Sequence, residues 1–113
     1  MPEPVHGQGE VLLAWLTFSD GQGTKRRPVL VVQDFGDDDL LVVPITSQPA
    51  RGPANVVLTD WQRAGLKLPS TVRVEKLATI EESCVARPLG VLPSHELARV
   101  RVALAALFKR ILG

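Results

Sequence analysis

The apolar residues of this chain fall in short runs separated by turn-forming residues, which is the pattern of a β-rich domain. Glu10 to Leu16 and Pro28 to Gln33 are dense in Val and Leu over strand lengths, and Leu40 to Ile45 is a third such run. Asp34 to Asp39 places a glycine among acidic residues and predicts a hairpin turn between the second and third strands. Asn55 to Leu58 predicts another short strand. Together these runs indicate a mostly antiparallel sheet.

Two segments beside these strands predict loops. Thr17 to Arg27 contains Asp20-Gly21 and Gly23, which permit tight turns, and it ends in three consecutive cations. Gln48 to Ala54 contains two prolines and one glycine. We therefore expect a flexible cationic loop before strand two and a second loop after strand three.

Helical signals occur at two places. Asp60 is a suitable N-cap for a short helix that Gly65 ends in a left-handed conformation. Ser94 is a suitable cap for a C-terminal helix whose apolar residues recur at spacings of three and four. These apolar residues are Leu97, Val100, Leu104, Leu107, Phe108 and Ile111. The predicted architecture is a strongly curved sheet or small barrel with a short helix and a C-terminal helix.

Composition favours one compact intracellular domain. The chain has 113 residues, of which 45% are hydrophobic and 22% charged, and a net charge of +1. Residues 1–8 form a loose lead-in without the pattern of a secretory signal, and no apolar run is long enough to span a membrane. Cys84 is the single cysteine, so no internal disulfide forms, as suits a cytoplasmic protein. Its simplest role is that of a small buried apolar residue.

Four motifs occur in a fixed order along the chain. They are Gly9-Glu10-Val11-Leu12, the segment from Lys25 to Val32 that contains Arg-Arg-Pro, the segment from Pro44 to Gln48, and the segment from Ser70 to Leu77. In this order, and together with the terminal helix, they resemble the MazF/PemK family of toxins. Because the similarity extends from about Gly9 to Phe108, it concerns the whole domain rather than one short motif.

The resemblance implies a fold, an activity and partners. The implied fold is the SH3-like barrel that these toxins share with CcdB, here as a single domain covering residues 1–113. The implied activity is that of a type II toxin-antitoxin toxin, a sequence-selective endoribonuclease that cuts single-stranded mRNA without a metal or other cofactor. The implied partners are RNA, a cognate antitoxin and a second copy of the chain. Arg73 and Glu75 stand two apart as in the PemK-like branch, whereas Ala78 stands where many members have arginine.

Metal-free cleavage requires groups that handle charge and protons. The 2′-hydroxyl attacks the adjacent phosphorus and leaves a 2′,3′-cyclic phosphate and a 5′-hydroxyl. Arg27 and Arg73 are the candidates for stabilising the developing charge, because the guanidinium binds phosphate in a bidentate manner. Pro28 biases Arg27 toward an extended conformation. Thr46 at the end of strand three is the third candidate, as the family implies.

Alternation along Ser70 to Ile80 predicts that Thr71, Arg73 and Glu75 share one face of the sheet. Glu75 is then the candidate general base, since an ordinary glutamate is ionised near neutrality. Further RNA contacts are expected from the residues around these candidates. The expected RNA-binding residues are Lys25, Arg26, Ser47, Gln48 and Thr71.

Each candidate also has a plainer interpretation. The cations Lys25 to Arg27 suit a solvated loop, and Arg73 with Glu75 suits an exposed ion pair. Trp15 and Trp61 suit either core positions or base stacking. No Cys, His or carboxylate cluster has the spacing of a metal site.

Two other functions remain open. One is a non-catalytic toxin of the same fold that inhibits a topoisomerase, as CcdB does, because one fold hosts both activities. The other is an inactive RNA-binding regulator, which Ala78 makes conceivable. RNA left intact beside inhibited gyrase would indicate the first alternative, and RNA binding without product the second.

Overall fold

The computed structural model describes residues 5–17 and 23–113, and this part of the chain contains seven strands and one α-helix. The strands are β1 (Glu10–Thr17), β2 (Thr24–Asp34), β3 (Asp39–Thr46), β4 (Asn55–Val57), β5 (Thr71–Arg73), β6 (Ala78–Glu81) and β7 (Val85–Val91), and the helix α1 is Ser94–Leu112. Every pairing is antiparallel, in the order β4-β5-β3-β2-β1-β7, with β6 also on β3. The predicted antiparallel fold with a C-terminal helix is confirmed, and the sheet is open rather than closed into a barrel.

Alternation along the strands gives the sheet two apolar faces. Val11, Leu30 and Ile45 belong to the larger core, which also receives Val100 and Leu104 from α1. Their chain neighbours Leu12 and Val29 point the other way, into a second cluster. The second cluster consists of Leu12, Ala14, Val29, Val31, Leu40 and Val42. We call these two sides the helix face and the outer face.

Strand β2 begins earlier than the sequence pattern indicates. It starts at Thr24, so Lys25, Arg26 and Arg27 lie in a strand paired with β1 and not at the end of a loop. Regular pairing through Thr17 and Thr24 extends the hairpin beyond the apolar run. The predicted Asp20-Gly21 turn lies outside the described residues. The three cations are therefore presented by a regular ladder, with successive side chains on opposite faces.

The segment predicted as one alternating strand is interrupted. β5 ends at Arg73, a 3₁₀ turn covers Val74–Lys76, and β6 resumes at Ala78. β5 pairs with the end of β3 and β6 with its beginning, so the turn accommodates the change between the two pairings. The prediction that Glu75 continues the alternation of Thr71 and Arg73 is wrong, because Glu75 lies in the turn.

Turns replace the predicted short helix. Hydrogen bonds from Arg63 N to Asp60 O and from Gly65 N to Gln62 O form successive turns without a regular helix. Gly65 does adopt the predicted left-handed conformation, with φ of +83°. A Cβ at Gly65 would stand 2.0 Å from the Leu89 carbonyl oxygen, so only glycine permits this contact with β7.

Helix α1 forms as predicted, but its first turn differs from the prediction. Its N-cap residue is Pro93, whose carbonyl accepts from Glu96 N and Leu97 N, and Ser94 makes no capping bond. Phe108 and Ile111, predicted on the packed stripe, are 43% and 66% exposed. No helix in the described ranges, 5–17 and 23–113, is long and apolar enough to cross a membrane.

Glu96 connects α1 to the segment after β4. Its side chain is fully buried, and its Oε1 accepts bonds from Thr59 N, Thr59 Oγ1 and Asp60 N at 2.6, 2.7 and 2.9 Å. Its Oε2 accepts from Arg99 at 2.8 Å. Burial alone raises the pKa of Glu96, but these hydrogen bonds outweigh burial and lower it to about 2.

Residues 5–8, predicted as part of the loose lead-in, are held against the sheet. The amides of Val5 and His6 both donate to Asp34 Oδ2 at 2.9 Å, and this carboxylate is buried rather than solvated. The His6 imidazole contacts Glu10 and Glu82 at 3.3 and 2.9 Å. Burial lowers the pKa of His6, but these two carboxylates outweigh burial and raise it.

Candidate active site

A cavity of about 1250 Å³ is lined by the end of β1, the beginning of β2, the ends of β3 and β5, and by residues of β6, β7 and the segment around Gly65. Consecutive residues of β1 and β2 line it, so it reaches both faces of the hairpin. Its charged lining is strongly unbalanced. The cations that line it are Arg26, Arg27, Lys67, Arg73, Lys76 and Arg87, and Glu81 is the one carboxylate in the described part of the lining. The cavity therefore favours an anionic ligand.

Three of the four predicted catalytic residues line this cavity: Arg27, Thr46 and Arg73. The register places them on the outer face. Arg27 lies opposite Ala14, Val29 lies opposite Pro44, and Thr46 lies opposite Thr71, two residues before Arg73. The outer face is apolar at Leu12, Val29 and Val42 and becomes polar at the cavity end. Segments far apart in the chain thus present two guanidiniums and one hydroxyl on the same side of the sheet.

One edge of the Arg73 guanidinium is buried and unpaired. Its Nε and Nη2 are buried, and neither has a hydrogen-bond partner in the described part of the chain. These two nitrogens form the edge that donates two parallel bonds to a phosphate or carboxylate. Because a buried donor without a partner costs about 1–3 kcal/mol, an oxyanion bound there would recover that free energy.

The end of β3 and the two residues after it form a turn at the cavity. The amide of Gln48 donates to Thr46 Oγ1 at 3.1 Å, which fixes the turn through Ser47. A threonine hydroxyl that accepts one bond still has its own proton to donate. Thr46, Ser47 and Gln48 all line the cavity, as Arg73 does.

Three predicted site residues do not line the cavity: Lys25, Thr71 and Glu75. Thr71 is 4% exposed, so its side chain is buried beneath the site. Glu75 is exposed, and its two carboxylate oxygens accept from Asn55 Nδ2 at 2.8 and 3.0 Å. Asn55 is the strand partner of Arg73, but no ion pair joins Glu75 to Arg73 themselves.

Several lining residues were not predicted as site residues. Lys76 belongs to the 3₁₀ turn and Arg87 to β7. The sequence of β7 gives a weak strand signal because it contains proline and glycine. Lys67 stands after Gly65 in the turn segment. Cys84 is half-buried in the lining and not a core residue. The pairing of β7 with β1 and the 3₁₀ turn after β5 bring Arg87 and Lys76 to the lining, and no local sequence pattern indicates either.

One group in the described ranges could geometrically hold a metal ion. Asp60, His95 and Glu96 offer ligand atoms within 4.8 Å of one another. None of the three lines the cavity. Because Glu96 Oε1 already accepts three hydrogen bonds, it is a poor further ligand.

Solved structures define the fold class of this chain. It aligns with the Mycobacterium tuberculosis toxin MazF-mt6 at a TM-score of 0.73 and 24% identity, covering 88% of this chain and 96% of that one. A MazE-MazF structure from Deinococcus radiodurans aligns at a TM-score of 0.75 and 23% identity, covering 93% of this chain and 97% of that one. An endoribonuclease in complex with its cognate antitoxin from a mycobacterial species aligns at a TM-score of 0.73 and 20% identity, covering 93% of this chain and 96% of that one. The fold is that of the MazF-like toxins.

A family model assigns the chain directly. The model of the PemK-like, MazF-like toxins of type II toxin-antitoxin systems matches residues 7–108, and the chain belongs to this family. No curated protein gives a significant match to the chain. The predicted family is therefore confirmed.

Proposed function

We propose that the protein is a metal-independent endoribonuclease that cuts single-stranded RNA at the cavity described above. The observation that carries this proposal is the unpaired, buried edge of Arg73 in a cavity where cations greatly outnumber carboxylates. Membership of a toxin family supports it. The scissile phosphate binds between Arg27, Thr46 and Arg73, and the ribose 2′-hydroxyl supplies the nucleophile.

In this proposal the guanidiniums act through charge and not by transferring protons. Negative charge grows on the phosphate oxygens as the 2′-oxygen attacks, and donors already aimed at those oxygens lower the barrier. Arginine stays protonated at any relevant pH, so Arg27 and Arg73 remain cationic throughout. The Thr46 hydroxyl adds a neutral donor, and the expected ends are a 2′,3′-cyclic phosphate and a 5′-hydroxyl.

The proposal includes partners. A second copy of the chain extends the RNA-binding surface, and a cognate antitoxin inhibits by placing an acidic flexible segment in the cationic cavity, where it competes with RNA. One structural relative was solved in complex with its cognate antitoxin, which supports this expectation.

The test is cleavage of a long unstructured transcript in EDTA, with the new ends mapped. We expect the parent to cut and Arg73→Ala to cut about a hundredfold more slowly, because one donor to the developing charge is lost. Arg73→Lys keeps the charge but loses the bidentate edge, so it should recover only part of the rate.

Arg63→Ala is the matched control, since Arg63 is exposed and does not line the cavity. An Arg73→Ala variant that cuts as fast as the parent would show that the phosphate binds elsewhere. Intact RNA after long incubation with the parent would remove the nuclease proposal altogether.

A further inference from the structure

Trp15 is in the cavity and not in the core. It is 47% exposed and lines the cavity, whereas Trp61 packs against the core on the helix face. Exposure alone does not single out Trp15, because Phe35 and Ile111 are more exposed. What distinguishes the indole is its place in the cationic cavity and its contact with Arg26.

Arg26 holds the indole of Trp15. Its guanidinium carbon lies 5.4 Å from the ring centroid, which is a cation–π contact. The two residues are direct partners in the β1–β2 ladder, so the contact belongs to the regular hairpin. A ring fixed in this way loses little conformational freedom when a ligand stacks on it.

The indole lies on the other side of the hairpin from the proposed phosphate site. Successive residues alternate, so Trp15 and Arg26 point to one face and Arg27 to the other. The lining of the cavity nevertheless includes all three residues. One RNA strand in this cavity can therefore bring a phosphate to Arg27 and a neighbouring base to Trp15.

We propose that Trp15, held by Arg26, is a base-stacking residue that binds a nucleotide of the single-stranded RNA next to the cleaved phosphodiester. This inference rests on the proposed function. Cations on the lining repel basic partners and attract a phosphate backbone, and the aromatic ring then adds affinity for the bases. Every base has a π face, so stacking supplies affinity across sequences while other contacts supply sequence preference.

The test separates bases from phosphates. The probes are a 2′-O-methyl oligouridylate, which cannot be cut, and an abasic oligonucleotide of equal length and charge. We expect Trp15→Leu to weaken binding of the base-containing probe by about five- to a hundredfold and to leave binding of the abasic probe unchanged. Trp15→Phe keeps an aromatic face and should retain most of the difference between the probes.

Fluorescence gives an independent measurement. The chain has two tryptophans, so Trp61→Phe leaves Trp15 as the sole indole and also serves as the control variant away from the cavity. Its emission should be quenched by the base-containing probe and not by the abasic one. The inference is overturned if Trp15→Leu binds each probe as tightly as the parent does. It is also overturned if Trp15→Leu loses the same affinity for both probes.

These outcomes are separable from those for the nuclease. A parent protein that discriminates the probes through Trp15 but never cuts RNA would retain the stacking residue and lose the proposed catalysis. If the parent cuts RNA but Trp15→Leu binds both probes as the parent does, the nuclease proposal stands and the stacking inference fails.

Discussion

At the scale of single residues, two carboxylates near the cavity differ in what surrounds them. Glu75 is exposed, outside the lining, and accepts two hydrogen bonds from one amide nitrogen of Asn55. Glu81 lines the cavity and accepts a bond from Ser83 Oγ at 3.2 Å. A general base must lie within hydrogen-bond reach of the proton that it removes. Glu81 meets the cavity, but it pairs with Asp39 at the beginning of β3 whereas Thr46 ends that strand, so its place in the lining does not by itself put it beside the phosphate site.

We expect Glu75→Gln to cut RNA within about threefold of the parent rate, because the amide replaces a carboxylate that does not face the substrate. Glu81→Gln is the matched comparison, since it makes the same isosteric change inside the cavity. Initial rates of cleavage in EDTA measure both. A loss of about a hundredfold or more in Glu75→Gln would restore it as the proton acceptor.

Residue types and their order led to Arg27, Thr46 and Arg73, which all line the cavity, and their catalytic roles stay predictions. They were not sufficient for Trp15, because an isolated tryptophan in a β domain has the same local pattern whether it is buried or exposed. They also could not show that one edge of Arg73 is buried without a partner. That property depends on side chains from several strands at once.

At the scale of elements, the position of α1 depends on one buried carboxylate. Glu96 has no neighbour in sequence that signals its role, since a glutamate in a first helical turn is ordinary. Its oxygens instead accept from Thr59, Asp60 and Arg99, and Arg99 also donates to the Val57 carbonyl at 2.7 Å. The helix is therefore tied to β4 and the following turn by a polar contact inside the core.

We expect Glu96→Gln to lower the free energy of unfolding at pH 7 by about 3 kcal/mol, because the pKa falls from 4.5 to about 2 on folding. The folded-state pKa is lowered, so this stabilisation is present above pH 4.5. It is lost as the pH falls from 4.5 toward 2.

Urea unfolding at pH 7 and at pH 3 measures both effects. The parent should lose stability between these two pH values, and Glu96→Gln should lose less of it. A variant that is as stable as the parent at pH 7 would contradict the role of Glu96 as the tie between α1 and the sheet.

Elements that depend on local pattern were predictable, and those that depend on pairing were not. Apolar runs located the central parts of β1, β2 and β3, and periodicity located α1. The early start of β2 at Thr24 and the break at Val74 follow instead from partners across the sheet. The segment Val85–Val91 contains proline and glycine and becomes a strand by pairing with β1.

At the scale of the whole molecule, charge is distributed very unevenly. A net charge of +1 does not indicate a nucleic-acid partner. Folding nevertheless gathers six cations and one carboxylate around a single cavity. Acidic residues collect elsewhere, as at the turn of Asp37, Asp38 and Asp39 near Glu82. The fold thus brings cations from separate segments of the described chain to one cavity and keeps the acidic turn of Asp37 to Asp39 outside its lining.

We expect affinity for single-stranded RNA to fall steeply with salt, because bound phosphates release counterions. For single strands the slope of log K against log salt is about −0.7 per neutralised phosphate, so six contacts would give about −4. Arg87→Ala should reduce the magnitude of this slope by about 0.7, while Arg101→Ala should not, since Arg101 lies on α1 and bonds Gln8 outside the cavity. Titrations of a 2′-O-methyl RNA at several salt concentrations measure the slopes. If Arg87→Ala and Arg101→Ala give the same slope, the RNA does not contact Arg87 on β7.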